Sequence, residues 1–214
     1  MYVSSVTQGD TALRYISASV ESNVEMIGIR LSANGSEDKV ISRIRLSLYS
    51  TNGTITSTDL TNAKVYIDAG VPGSYDASDI LVGGPIDNPA SMVIDFTNIT
   101  GLTIGTNSAT NILIVIGHKA LSYGDSMQAI VLSNWVEYYG NYTGYTDTGY
   151  GANAYGVVKE VPGVIYVSAI TQGEAGLRYI LDTPETNVEM LSIELSNTVG
   201  EDKILNRIKI SLYS

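Results

Sequence analysis

Ile27-Gly28-Ile29-Arg30-Leu31 and Ile44-Arg45-Leu46-Ser47-Leu48 carry the decisive pattern. In each, every second residue is a large aliphatic one, and in the second stretch Arg45 and Ser47 fill the alternate positions. Successive side chains of a strand point to opposite faces, so this spacing gives one apolar face and one polar face. Working outward, further strands are predicted at 63–68, 92–96, 111–117, 127–133 and 163–170. Turn signals separate them: Asn34-Gly35, Asn52-Gly53, Gly83-Gly84-Pro85, Gly124-Asp125 and Pro162-Gly163. No long stretch shows a helical period. Some eight to ten strands of this kind predict an all-β fold, an antiparallel β-sandwich with Greek-key connections of the Ig-like type, with a jelly roll as the alternative.

Composition agrees. Of 214 residues, 44% are hydrophobic, but there are only one Phe and one Trp against 15 Tyr. The core must therefore be Ile, Val and Leu, which suit strands. Acids outnumber bases 22 to 12, a formal charge of -10, and that balance excludes nucleic acid as a partner. Cysteine is absent, which excludes disulfides, thiol catalysis and metal–thiolate centres. The longest aliphatic run, 112–116, is too short to span a bilayer.

The chain also repeats itself. Residues 2–50 align without a gap on 166–214 at an offset of 164, with 27 identities in 49 positions. Both copies keep Leu-Arg-Tyr-Ile, at 13–16 and 177–180, and Asn-Val-Glu-Met, at 23–26 and 187–190. Both keep Glu-Asp-Lys, at 37–39 and 201–203, and both close on Ser-Leu-Tyr-Ser. A period of that length is a whole domain, not a solenoid unit. The expectation is one complete module over 1–163 and the first strands of a second copy over 164–214. Either the chain is cut from a longer tandem array, or the extra strands complete a neighbouring subunit by strand addition.

Residues 138–156 break the pattern. Tyr138, Tyr139, Tyr142, Tyr145, Tyr150 and Tyr155 fall there among Gly, Asn and Thr, with no aliphatic core residues. The stretch reads as a long loop or inter-module linker. Its tyrosines are candidates for a contact between subunits or for stacking on sugars.

One segment has ligand chemistry. Asp68 ends a strand, a Gly/Pro turn follows, and Asp76 and Asp79 arrive three apart. Calcium takes about six to eight oxygens from carboxylates, carbonyls and water. Asp68, Asp76 and Asp79, with backbone near Ser74, form a candidate calcium set. The competing reading is a solvated turn in which Asp79 bonds local amides. The spacing departs from an EF-hand.

The run Val65-Tyr66-Ile67-Asp68, then Gly73-Ser74-Tyr75-Asp76-Ala77-Ser78-Asp79-Ile80-Leu81-Val82-Gly83, resembles Ig-like modules of archaeal and bacterial cell-surface proteins. Val24–Ala33 upstream is similar to the family's second strand, and 102–115 downstream to its strand–glycine–strand step, so the resemblance covers roughly 20–133. Ala69-Gly70-Val71-Pro72 departs from it, because the family usually places Asn or Asp there. The resemblance implies a non-catalytic module of an S-layer, adhesin or filament protein. A weaker resemblance joins Tyr2–Gln8 and 24–31 to the point where archaellin chains enter their β-domain, without the helix.

The resulting expectation is a structural building block of an extracellular filament or surface layer. Its modules join by strand packing or strand complementation, with calcium as a stabiliser. A carbohydrate-binding or adhesion module is the alternative. Asn34, Asn52, Asn98 and Asn141 stand in sequons and are candidate glycan sites. An enzyme is not expected, since no nucleophile elbow, phosphate loop or histidine cluster is present. The single histidine, His118, is predicted at the surface.

Overall fold

The computed structural model describes residues 1–163, 165–170, 191–197, 205 and 207–210. The second-copy motifs at 177–180, 187–190, 201–203 and 211–214 lie outside the described residues. The chain divides into two compact units, Met1–Pro162 and Gly163–Ser214.

In the first unit the strands are β1 (Tyr2–Val6), β2 (Glu21–Ser32), β3 (Lys39–Asn52), β4 (Leu60–Ile67), β5 (Ile80–Ile86), β6 (Val93–Phe96) and β7 (Thr103–Ile104). They continue as β8 (Ala109–His118), β9 (Ser126–Val131), β10 (Val136–Gly140), β11 (Thr146–Thr148), β12 (Tyr150–Gly151), β13 (Ala154–Tyr155) and β14 (Lys159–Glu160). One sheet has the order β12-β1-β2-β8-β4-β5. The other is built on β3. One flank of β3 carries β6 and then β7; the other carries β9 and then β10, each pair acting as one interrupted antiparallel strand. The two sheets pack as a sandwich, and the fold is all-β.

Alternation decides which side chains go inward. Ile41, Ile44, Leu46 and Leu48 of β3 are buried, as are Ile29 and Leu31 of β2 and Ile112, Ile114 and Ile116 of β8. These form one aliphatic core with Val65, Ile94, Phe96, Met127 and Val131. β8 is apolar on both faces, because it is the sheet's central strand and its outward Leu113 and Val115 pack with Tyr66 in a second cluster. That cluster is the reason for the unbroken run at 112–116.

Three expectations change. The stretch 138–156 is not a linker. β10 and β11 extend the β3 sheet, β12 pairs with β1, and β13 pairs with β9. The Gly83-Gly84-Pro85 turn signal lies inside β5, an edge strand whose pairing with β4 shifts register twice. Glycine and proline are tolerated at such an edge. His118 is fully buried, because β8 has β2 and β4 on its two sides and Glu21 and Leu60 flank even this last residue. Its Nδ1–H donates to the Lys119 carbonyl at 2.7 Å, while Nε2 is buried without a hydrogen-bond partner.

In the second unit, β15 (Ile165–Ile170) pairs antiparallel with β16 (Ser192–Asn197). Tyr166 faces Ser196, Val167 faces Leu195 and Ala169 faces Ile193. In the first unit Tyr2 faces Ser32, Val3 faces Leu31 and Ser5 faces Ile29. Each pair differs from its counterpart by the offset of 164, so both copies form the same hairpin in the same register.

Candidate functional site

The acidic loop follows β4 and leads into β5. Asp68 ends the strand run with its amide donating to the Asn111 carbonyl. Asp68 Oδ2 accepts from the Gly73 amide at 2.9 Å. Asp76 accepts from the amides of Val71 and Ser78, both at 2.8 Å, and from the Ser78 hydroxyl. Asp79 accepts from Ala69 at 3.0 Å and from the Asp76 amide at 3.1 Å. Ser74 Oγ accepts from the Asp10 amide at 3.0 Å. Three carboxylates thus neutralise the loop's own donors. Hydrogen bonds from Ser78 and the Val71 amide hold Asp76 below the usual carboxylate range. Burial pushes Asp68 above it, and the neighbouring charges of Asp79 and Asp76 add to that.

Calcium takes several oxygens converging on one point, and here five of the six carboxylate oxygens of Asp68, Asp76 and Asp79 accept from the loop's own donors. Asp68 Oδ1 is the one carboxylate oxygen of the three that is buried and without a donor. No group of three or more ligating side chains that could hold a metal occurs among the described residues. A Cβ at Gly70 would lie 1.9 Å from Asp76 Oδ2, so a larger residue there would have to displace that carboxylate. Gly73 has a φ of +76° and lies against the Gln8 carbonyl, so loop and N-terminal segment touch through backbone.

The tyrosines separate into two kinds. Tyr138 points inward beside Val136, and its hydroxyl accepts from the Met1 ammonium at 3.2 Å and donates to Asp147 at 3.4 Å. It is therefore a core residue and is withdrawn from the candidate interface. Tyr139, Tyr142, Tyr145, Tyr150 and Tyr155 are exposed, Tyr142 at 93%. The turn bearing Tyr142 is held by Glu37, whose carboxylate accepts from the amides of Tyr142 and Thr143 and from the Thr143 hydroxyl, at 3.1, 2.9 and 2.8 Å. Those bonds hold the Glu37 carboxyl down at about 2. Tyr150 meets exposed Tyr2 edge-on, with ring centroids 5.9 Å apart. Asn34, Asn52, Asn98 and Asn141 are all exposed.

A clasp at the end of the first unit was not legible in the sequence. Lys159 is 2% exposed, and its ammonium donates to the carbonyls of Asp10, Leu13 and Thr11 at 2.8, 2.7 and 3.4 Å. Burial pulls Lys159 down to about 8, against the opposing pull of Glu25, Asp10 and Glu21. Next to it, Glu160 accepts from Arg14 Nε at 2.7 Å, and its backbone bonds both Arg14 and Ile16. On the outer face of the β3 sheet, Arg43 is shared by Asp95 and Glu137, and Arg45 bonds Glu137 and lies over Trp135.

These features define a class: an all-β sandwich with structured surfaces and ordered polar clasps. Comparison with family models, with curated proteins and with solved structures returns no match. No helix among the described residues is long and apolar enough to cross a membrane.

Proposed function

We propose that the chain is a structural building block of an extracellular layer or filament, a β-sandwich that self-associates through its strands. The observation that supports this reading most is the doubled hairpin. One chain writes the same strand pair twice, in the same register, with 27 of 49 positions identical. A repeated strand pair gives an assembly protein a second attachment point. The resemblance to Ig-like cell-surface modules and the four exposed sequon asparagines support an extracellular setting. Five exposed tyrosines offer contact area at low entropic cost.

Analytical ultracentrifugation and negative-stain microscopy over rising concentration test the reading. Ordered polymers or sheets are expected. A chain that never exceeds a dimer removes it. Sugar binding is the second reading, favoured by Tyr142 and Tyr145 standing free at 93% and 71% exposure. A glycan array signal lost in Tyr142→Ala would carry it. Calcium at the 68–79 loop is tested by melting with calcium or EDTA: a bound ion raises the melting temperature. Carboxylates already satisfied by amides favour an unchanged melt.

A further inference from the structure

We infer that the outer face of the β10–β11 ribbon is a sugar-binding site, a hollow that takes one pyranose ring of a neutral glycan. The inference gives the second, sugar-binding reading a site within the folded sheet and rests on that reading; the assembly reading is independent of it.

The hollow holds about 250 Å³ and is lined by Ser42, Glu137, Tyr138, Thr146, Asp147 and Thr148. Strand register places the side chains. Glu137 stands opposite Thr148 and Tyr139 opposite Thr146, so these four share one face of the ribbon. Val136 and Tyr138, which alternate with them, are buried, so that face is the outer one. Tyr138 and Asp147 meet on the other side, hydroxyl to carboxylate. A β-bulge adds Ser42. Arg43 pairs with Glu137 and Ile41 with Tyr138, which leaves Ser42 as the extra residue between them. Ile41 and Ile44 both stay in the core, and Ser42 donates its hydroxyl to the Glu137 carbonyl at 3.2 Å. Bulges re-aim side chains in this way and are frequent beside active sites.

The chemistry of the lining selects the ligand. No Lys, Arg or His lines the hollow, so an anion finds no counter-charge in it. No aliphatic side chain lines it, so an apolar group gains no contact area. Glu137 is the one carboxylate on the outer face of the ribbon, and Arg43 and Arg45 both bond its Oε1 at 3.1 Å. That pairing offsets the charge a hard cation would need. Glu137 Oε2 takes no bond from a described residue, and the hydroxyls of exposed Thr146 and Thr148 make none. Together they offer an acceptor and two groups that both donate and accept, which suits the adjacent hydroxyls along one edge of a sugar. The C–H face of the ring can stack on Tyr139, which is 36% exposed opposite Thr146.

The face is fixed before a ligand arrives. Arg43 is anchored on Asp95 and bonds Glu137, while Arg45 bonds Glu137 and lies over Trp135. Glu37 holds the turn that joins the two strands. Groups already ordered lose little freedom on binding. The volume lies below the roughly 300–1,000 Å³ of sites for drug-sized ligands, which fits one ring rather than several.

The test uses the full chain, made without glycans and isotope-labelled for NMR. Maltotriose, mannotriose and chitotriose are titrated in turn, with glucuronate as the charged control. At least one trisaccharide is expected to shift the amides of 137–139 and 146–148 along a saturating curve, and glucuronate to shift none of them. Thr146→Val/Thr148→Val removes two exposed hydroxyls at nearly constant shape; it should leave the melt unchanged and weaken binding about tenfold or more. Tyr139→Ala should weaken binding as well, and Tyr142→Ala should not. A chain that none of the three trisaccharides shifts overturns the inference. So does binding equal to the parent's in either the threonine double variant or Tyr139→Ala. Binding lost in Tyr142→Ala and kept in the double variant overturns this site and leaves the sugar-binding reading standing. Silence across a full glycan array removes both.

Discussion

Two strand pairs of related sequence sit in this chain. β1–β2 and β15–β16 share a register residue by residue. Yet Leu31 is fully buried and its counterpart Leu195 is 42% exposed. Register is a local property: alternating side chains and a shared backbone pattern set it, and a slip by one residue would invert the faces. Burial is not local. In the first unit it comes from β8 alongside β2 and from the aliphatic face of the β3 sheet packed in the same core. The lesson is that a strand pair's register is copied with its sequence, while burial has to be supplied by the elements packed on it.

The sharpest way to break the comparison is a matched truncation. Leu31→Ala should lower the unfolding free energy of the first unit by about 3 kcal/mol, as buried leucine truncations do. Leu195→Ala should leave that melt within about 0.5 kcal/mol in denaturant titrations. Equal effects would mean that the two hairpins share one core.

A second prediction concerns the clasp. Lys159→Met removes the charged donor from the carbonyls of Asp10, Thr11 and Leu13 and should destabilise the first unit by about 2 kcal/mol. Its pH dependence sharpens the point. The folded value of about 8 lies below the ordinary 10.5, so the unfolded chain holds more protons between these values. Stability contributed by this group therefore rises as pH increases from 8 towards 10. The difference between parent and Lys159→Met should change with pH in that window and be flat below it, as followed by denaturant melts at each pH.

The smallest expected effect is at Glu37. Its carboxyl is held at about 2 against an ordinary 4.5, so its support for the 141–145 turn is complete above pH 4.5 and is lost as pH falls towards 2. Glu37→Gln should leave the melt nearly unchanged but speed hydrogen exchange at the amides of Tyr142 and Thr143. Protection as strong as in the parent would show that the turn is held by something else.

Much of this was legible in advance, and the failures are instructive. Strict alternation placed β2 and β3 because one face of each meets the core, and short apolar runs between turn signals placed β6, β8 and β9. The 138–156 stretch was misjudged because its short strands are backbone additions to existing edges. Only Val136, Tyr138 and Ala154 on these strands reach the core, so there is little hydrophobic period to read. β5 was hidden for the opposite reason. An edge strand with two register shifts accommodates Gly83-Gly84-Pro85, residues that elsewhere end a strand. His118 was misplaced because solvent exposure at a strand end depends on its neighbours, and β8 has one on each side. In the acidic loop the sequence supplied the three aspartates but not their direction. The amide donors of a tight turn competed for the same oxygens and took nearly all of them. The clasp left no local signal at all, since Lys159 and the carbonyls it binds lie about 146 to 149 residues apart.

That clasp determines how tension would enter the molecule. Residues 159 and 160 stand just before Pro162, where the chain leaves its first unit, and they are fastened to residues 10–16 near the opposite end of the same sequence. A tug arriving from the second unit would meet, at the same two residues, both the pairing of β14 with β9 and the ammonium and carboxylate that hold residues 10–16. Peeling β14 from β9 would therefore also load those bonds, so traction on the tail would be shared with the front loop.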